Sequence, residues 1–217
     1  LSEKRSLQEN NDTTLLDVNV DYGQNNDGYS PIRIQFQTDL LERRRGENWD
    51  AALDNVESIL SEVGQIWRKH ISVTPVTGMG IPFPPADNCF GLHDNFQPFN
   101  NSSIADADLV VIVTAEDTLT DQFNNTIQCS AGFLAFSGAC VTDQFDRPVI
   151  GMMNICLDLF ATIINSDFST AVILHELAHT LVMSPYLFTL FRDENGEPRT
   201  PRPLKIQNTS CWDGSTK

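Results

Sequence analysis

Basic residues are scarce in this sequence of 217 residues, which has 14 Lys and Arg against 29 Asp and Glu. The formal net charge of −15 at pH 7 gives a surface that repels phosphate backbones, so we expect no nucleic-acid partner. Long apolar runs are missing too, because no uninterrupted stretch reaches the length of about 18 residues that crosses a bilayer. We therefore expect membrane association only through segments outside this chain.

Cysteine is present at five positions, but no two form a C-x-x-C pair, which argues against a cysteine zinc knuckle. Pairing of Cys140 with Cys156 across a hairpin is our interpretation of one disulfide. Cysteines together with glycosylation sequons favour the secretory pathway, where disulfides persist. We expect a secreted or cell-surface glycoprotein, with a cytoplasmic location as the alternative. The sequons lie at Asn11, Asn100, Asn101, Asn124 and Asn208.

Apolar residues make up 41% of the chain, which is typical of a packed globular domain, and their spacing predicts its elements. Residues 1–30 are polar and rich in Asn and Asp, and we predict a flexible lead-in there. Strands are predicted from alternating or continuous apolar residues, and helices from apolar stripes at three- and four-residue spacing. In chain order these are a strand at 32–37, a long helix from Trp49 to His70, strands at 109–113, 133–136 and 149–155, and a helix from Ser166 or Asp167 to Met183.

The order of these elements predicts a layered domain over residues 31–217, α/β or α+β, with helices packed against one sheet. A turn is predicted at residues 146–148. Pro185 is expected to stop the second helix, because proline cannot continue the hydrogen-bond ladder. The first residue is not Met and the last seven close no element, so we expect both ends to be cut.

The run His175-Glu176-Leu177-Ala178-His179 lies within the second predicted helix. Residues four apart on a helix share one face, so His175 and His179 can direct two imidazoles at one ion. Zinc binds imidazole nitrogen, and catalytic zinc sites keep three protein ligands and a water. Glu176 can take a proton from that water as it attacks a peptide carbonyl. The motif therefore predicts a zinc site with a general base.

The surroundings of this motif are apolar, and two histidines and a glutamate buried there without partners would be costly, whereas a metal compensates them. The alternative is an exposed polar patch on the helix. His70 closes the long helix, where a histidine favours the C-terminal dipole. His93 lies in a loop rich in Gly and Pro. We interpret both as surface or capping residues rather than as a third zinc ligand.

Residues 167–199, DFSTAVILHELAHTLVMSPYLFTLFRDENGEPR, resemble the active-site region of the leishmanolysin and invadolysin-like zinc endopeptidases, which are of metzincin type. Residues 105–109 resemble that family's strand entry. A further segment is similar to its pattern A-x-C…RP-x-x-G-x-x-N-x-C. The residues that carry this similarity are Ala139, Cys140, Arg147, Pro148, Gly151, Asn154 and Cys156.

The resemblance implies a metalloendopeptidase that hydrolyses peptide bonds in proteins, with Zn²⁺ held by His175 and His179 and with Glu176 as general base. It implies an α+β, metzincin-like zincin domain, in which a twisted mixed sheet packs on a long helix and an active-site helix. The edge strand, placed at 133–136, would bind the peptide by β-addition. Expected partners are protein or peptide substrates. Family members act at the cell surface through a lipid anchor or are secreted, and some are intracellular and linked to adhesion and migration.

Two features depart from the family pattern. Val182 stands where the family usually has Gly, and because Val disfavours left-handed backbone, either the helix runs on or the turn shifts. The family's third His and Met-containing turn follow a long insertion, but this sequence has no His after His179 and no Met after Met183. We therefore expect residues 31–217 to be the N-terminal portion of the catalytic domain, with the C-terminal subdomain missing and the third ligand on sequence not shown. The alternative is an inactive metzincin-like fragment that acts as an adhesion or binding module.

Overall fold

A computed structural model describes residues 16–23, 28–46, 48–83, 103–120, 126–129, 132–163 and 166–200. Within these residues the helices are α1 (Asp50–His70), α2 (Leu157–Phe160), α3 (Ser166–Leu181) and α4 (Pro185–Phe188), with a 3-10 turn at Glu42–Arg44. The strands are β1 (Leu16–Val18), β2 (Ser30–Pro31), β3 (Ile34–Gln37), β4 (Ser72–Val73), β5 (Ile81–Pro82), β6 (Ser103–Ile104), β7 (Leu109–Thr114), β8 (Thr118–Thr120), β9 (Thr126–Gln128), β10 (Ala135–Asp143) and β11 (Pro148–Ile155). This mixture of sheet and helix confirms the predicted α+β class.

The main sheet has five strands in the order β1-β10-β11-β7-β3. Strands β3, β7 and β11 run parallel, and β10 runs antiparallel to β11. β7 lies between β11 and β3, and all six of its residues are buried. A strand with neighbours on both sides and both faces covered needs a continuous apolar run, as its sequence predicted.

Part of the segment predicted as a flexible lead-in belongs to the sheet. β1 pairs in parallel with the second half of β10, where Leu16 lies opposite Val141 and Val18 opposite Asp143. The side chain of Gln144 binds the backbone of Val20 on both its N–H and its carbonyl. Residues 1–15 and 24–27 lie outside the described residues, so the lead-in stays a prediction for them.

One face of the sheet carries α1 and α3. The predicted long helix is confirmed as α1, and its apolar stripe is buried at Leu53, Val56, Ile59, Leu60 and Val63. These side chains join Val111 and Met153 of the sheet and Ile173 and Leu177 of α3 in one core. A second core, on the opposite face, contains Val110, Ile150 and Met152. α3 therefore packs against both the sheet and α1.

The strand predicted at 149–155 is confirmed as β11, whereas the strand predicted at 133–136 begins only at Ala135, as β10. Phe133 precedes it and is 49% exposed, so its hydrophobicity does not mark a strand. The turn predicted at residues 146–148 includes Asp146, whose φ of 67° lies in the left-handed region that Asp tolerates.

α3 begins at Ser166, as predicted, and ends at Leu181. Val182 avoids the left-handed backbone that the family's glycine would allow, and its N–H still bonds to the Ala178 carbonyl. Ser184 is extended, and Pro185 begins α4 instead of only ending α3. Val182 therefore lies in the turn that directly follows α3, without left-handed backbone, and the helix does not run on as one of the two expected alternatives had it.

By length and composition alone, the helical segment Ser166–Phe188 could cross a membrane, although the sequence contains no uninterrupted apolar run of that length. The same segment contacts β10, β11 and α1 through its α3 part. It also carries two histidines and a glutamate, which are costly in hydrocarbon. We therefore describe α3 as a core helix of the domain.

Candidate active site

The two histidines of the motif converge, as the spacing on a helix predicts. The Nε2 atoms of His175 and His179 lie 3.0 Å apart, with their ring centroids 4.7 Å apart and the rings nearly perpendicular. His175 is exposed and His179 is half-buried, so the paired nitrogens open toward solvent. This geometry can present two imidazole nitrogens to one cation.

The orientation of His179 is set by the end of α3. The Met183 carbonyl lies 2.6 Å from Nδ1 of His179, and because a carbonyl can only accept, Nδ1 carries the proton. The lone pair is then on Nε2, which faces His175. Met183 reaches this position because its N–H bonds back to the Ala178 carbonyl, which closes the last turn. A carbonyl that fixes the tautomer of a histidine is a common support for metal ligands.

Glu176 is half-buried between α3 and β10. Burial raises the pKa of Glu176 to about 7, against the lowering effects of nearby His179 and of hydrogen bonds from the amide and hydroxyl of Ser137. The Ser137 hydroxyl also donates to the main-chain carbonyl of Glu176. Ser137 lies in the first half of β10, opposite Met153 of β11. Nothing in its sequence context marks it, and only the contact between strand and helix brings it to the site.

This raised pKa predicts a pH-dependent stability for the metal-free protein. The unfolded chain loses its Glu176 proton near pH 4.5, whereas the folded chain keeps it until about pH 7, so the stabilising contribution is lost as pH rises through that window. We expect Glu176→Gln to raise the Tm in EDTA at pH 8 by about 2–4 °C, and to change it much less at pH 4.5.

Thermal unfolding of wild type and variant at both pH values measures this difference. Glu62→Gln, on an exposed part of α1, is the matched control and should show no such pH-dependent difference. An equal effect of Glu176→Gln at pH 4.5 and pH 8 would contradict the assignment.

A cleft of about 390 Å³ lies beside Glu176. Its walls come from the start of β10 and the segment before it on one side, and from the first turns of α3 on the other. We call it the helix-side cleft. Its lining residues are Gly132, Phe133, Leu134, Ala135, Phe168, Ala171, Val172, His175 and Glu176.

Gly151 allows α3 to approach the sheet closely. A Cβ atom at this position would lie 2.2 Å from Cγ2 of Thr180 and 3.0 Å from the Gly138 carbonyl oxygen. Thr180 is fully buried and directly follows His179. The glycine of the RP-x-x-G segment therefore determines how close α3, and with it the histidine pair, lies to the sheet.

Asn154 ties the ends of β11 and β7 together. It is fully buried, accepts hydrogen bonds from the Thr114 hydroxyl and the Glu116 amide, and donates one to the Glu116 carbonyl. These bonds satisfy a buried amide side chain that would otherwise be costly. The Asn of the family pattern is therefore structural, and it fixes the strand ends next to the cleft.

The predicted pairing of Cys140 with Cys156 is wrong. Cys156 pairs with Cys129, with their Cα atoms 5.3 Å apart. Cys140 is also in a disulfide, whose partner lies outside the described residues. The mistaken pairing came from proximity along a hairpin, whereas Cys129 precedes the wall of the cleft and reaches the end of β11 only through the tertiary fold. The disulfide thus anchors that wall beside α3.

Among the described residues, no group of three His, Cys, Asp or Glu side chains could hold a metal ion. His70 lies at the end of α1, where its Nδ1 is 2.8 Å from the Ile66 carbonyl, so it is a helix-end residue as predicted. His93 lies outside the described residues, as do the asparagines of all five sequons. For the candidate metal site, the described part of the chain therefore supplies the two imidazoles of His175 and His179 and the carboxylate of Glu176.

Comparison with known proteins decides the family. The family model described as leishmanolysin matches residues 52–195, which is more than half of the chain. The chain belongs to the leishmanolysin family. The matched region includes nearly all of α1, the main sheet from β7 onward and the whole of α3, so it contains the histidine pair and Glu176.

Three curated relatives support this family membership, and each bears the name leishmanolysin-like peptidase. The Caenorhabditis elegans protein is 31% identical over 124 residues, which is 52% of this chain and 18% of that protein. The Drosophila melanogaster protein is 33% identical over 121 residues, or 54% of this chain and 16% of that protein. The Drosophila pseudoobscura pseudoobscura protein is 30% identical over 142 residues, or 64% and 18%. The matched part therefore spans less than a fifth of each relative's length.

Proposed function

We propose that this chain is part of a zinc-dependent metalloendopeptidase that hydrolyses peptide bonds in proteins. The observation that carries the proposal is the convergence of the His175 and His179 Nε2 atoms, 3.0 Å apart, next to Glu176 in a cleft beside a strand edge. Membership of a peptidase family supports the same reaction class. The metzincin-type arrangement belongs to this proposal as well.

The two imidazoles fit a zinc ion. Tetrahedral coordination with Zn–N distances of about 2.0–2.1 Å separates two ligand nitrogens by about 3.3 Å, close to the observed separation. His175 and His179 would hold the metal, and bound zinc would supply Lewis-acid polarisation of the substrate carbonyl and a more acidic water. A catalytic site needs a third protein ligand. We propose that it comes from residues outside the described ones.

Glu176 is the proposed general base. Its carboxylate accepts a proton from the attacking water and returns it to the leaving amine. A pKa of about 7, raised by burial, suits a group that both takes and gives a proton near neutral pH. Ser137 on β10 holds the main chain and the carboxylate of Glu176 close to the strand.

The first half of β10 is the proposed binding edge for the peptide. Among the described strands, β1 pairs only with residues 141–143 of β10, so no described strand pairs with the outer edge of residues 135–139, which lies beside the cleft. An extended peptide can add to such an edge through main-chain hydrogen bonds. Protein or peptide substrates follow from this arrangement.

We propose a secreted or cell-surface location, with the cytoplasm as the alternative. The Cys129–Cys156 disulfide supports the first, because disulfides persist mainly in oxidising compartments. Labelling of free thiols on the denatured natural protein, without reductant, would leave both of these cysteines unmodified. Modification of both would favour the cytoplasm.

Metal content tests the proposed zinc site. We expect the wild-type protein to bind zinc, and His175→Ala or His179→Ala to weaken zinc affinity by more than about 100-fold, since loss of supporting residues alone costs about 10- to 100-fold. Competition with a chelator, followed by metal analysis, measures this affinity. His70→Ala is the control and should bind zinc as the wild type does. Equal affinity of all four proteins would overturn the site.

A binding module without catalysis is the second candidate. It is favoured by one observation, namely that the described residues hold only two of the three ligands that a catalytic zinc site needs. This candidate expects Glu176→Ala to leave the biological effect of the protein, such as adhesion, unchanged. Loss of that effect in Glu176→Ala, with the fold intact, would exclude the module.

A further inference from the structure

The side chains of β10 alternate between two faces of the sheet next to the helix-side cleft. Ala135 is buried in the core under the helices, and the Ser137 hydroxyl donates to a carbonyl of α3. Phe136, between them, packs against the core on the opposite face. Because residues paired across two strands point to the same face, an added peptide strand must follow this alternation.

A second cavity lies at the same strand edge, on the face opposite the active-site helix. Its volume is about 570 Å³, and we call it the far-side pocket. Strand β9 of the small β8–β9 hairpin forms one wall. The lining residues are Thr126, Ile127, Gln128, Phe133 and Phe136.

Phe133 lines both cavities, so the helix-side cleft and the far-side pocket meet around the start of β10. A peptide residue paired with Phe136 would direct its side chain to the far face, and its two neighbours would point toward α3 and Glu176. One extended segment can therefore place successive side chains in the two cavities. Because the two cavities are continuous along the proposed peptide-binding edge, the far-side pocket fits a side chain of the same bound substrate.

We propose that the far-side pocket is a specificity subsite that takes a large apolar substrate side chain, next to the residue that enters the helix-side cleft. Among the residues that the structure describes, its lining has three apolar side chains, Ile127, Phe133 and Phe136, and no charged one. Cross-strand pairs of aromatic and branched side chains are favourable neighbours on a sheet face. The inference rests on the proposed peptidase function. The two cavities together would favour substrates that have two adjacent large residues, at least one of them apolar.

A charge placed in the far-side pocket tests the subsite. In Ile127→Lys we expect the preference at one substrate position to move from large apolar residues to Asp and Glu, with the ratio of kcat/KM values changing about tenfold. The readout is mass spectrometry of a peptide library cleaved by the zinc-loaded natural protein, aligned on the cleaved bonds. A gain of preference for acidic residues cannot arise from misfolding.

Phe168→Lys is the matched control, because Phe168 lines only the helix-side cleft. This variant should change the residue preference at an adjacent substrate position. It should leave unchanged the preference at the position whose side chain contacts Ile127. Selectivity that does not respond to Ile127→Lys, or that changes at the same position in both variants, would overturn the subsite.

Selection of binding peptides on the immobilised protein repeats the comparison without catalysis. Ile127→Lys should again enrich Asp and Glu at one position. If no protein in the series cleaves, but the binding preference shifts, the peptidase function fails and the subsite stands. If cleavage occurs without any shift, the subsite fails and the peptidase function stands.

Discussion

If the proposed function holds, we expect Glu176→Gln to lower kcat/KM for peptide hydrolysis by about 10²- to 10⁴-fold, the range that a positioned general base contributes, without loss of bound zinc. The amide has nearly the same size as the carboxyl group but cannot accept the proton of the attacking water. Because His175 and His179 are unchanged, metal content should equal that of the wild type. The measurement is the cleavage rate of a fluorogenic peptide by the natural protein, with the zinc content of each sample determined in parallel.

Two comparisons make this result specific. Glu62→Gln, on the exposed side of α1, should cleave as the wild type does. Ser137→Ala removes the hydroxyl that donates to the Glu176 carbonyl but keeps the backbone amide, so we expect a smaller loss than for Glu176→Gln. If Glu176→Gln retains cleavage within a few-fold at equal zinc content, the general-base role is wrong.

Gly151→Ala destabilises the protein by about 1–3 kcal/mol, the usual cost of overpacking a core. Its Cβ would lie 2.2 Å from Cγ2 of Thr180, so α3 must move away from β11 or the threonine must change rotamer. Either adjustment disturbs the residue next to His179, and we expect weaker zinc binding as well. Urea unfolding and chelator competition measure the two effects.

Thr180→Ser provides the test of mechanism, because it removes only the methyl group that the new Cβ would meet. In the double variant we expect most of the lost stability to return, which a double-mutant cycle would show as a coupling between the two sites. Gly28→Ala is the matched control, since no atom lies within 4 Å of its Cβ position. A double variant no more stable than Gly151→Ala would exclude the steric explanation.

Local patterns predicted the elements that surround the site. The stripe from Trp49 predicted α1, the continuous apolar run predicted β7, and the spacing of His175 and His179 predicted that their rings would meet. Each of these features depends on residues close together along the chain. Periodicity in a helix or strand is set by backbone geometry, so sequence is sufficient for it.

Contacts between distant segments could not be predicted in the same way. The pairing of Cys129 with Cys156 and the hydrogen bonds from Ser137 to Glu176 join segments 27 and 39 residues apart. Cys140 looked like the better partner because it shares a hairpin with Cys156. Phe133 looked like part of a strand, but it lies in the wall shared by the two cavities.

The amino-acid sequence by itself determined the family, a layered domain of helices and strands, and the face of α3 that carries two imidazoles with a carboxylate beside it, because each is encoded in residue types at short spacing. Only the tertiary structure decided what surrounds that face. It placed Ser137 against Glu176, set the depth of α3 through Gly151 and Thr180, and brought the far-side pocket to the same strand edge. These arrangements arise from the packing of a helix and a hairpin on one sheet, and no local pattern specifies that packing.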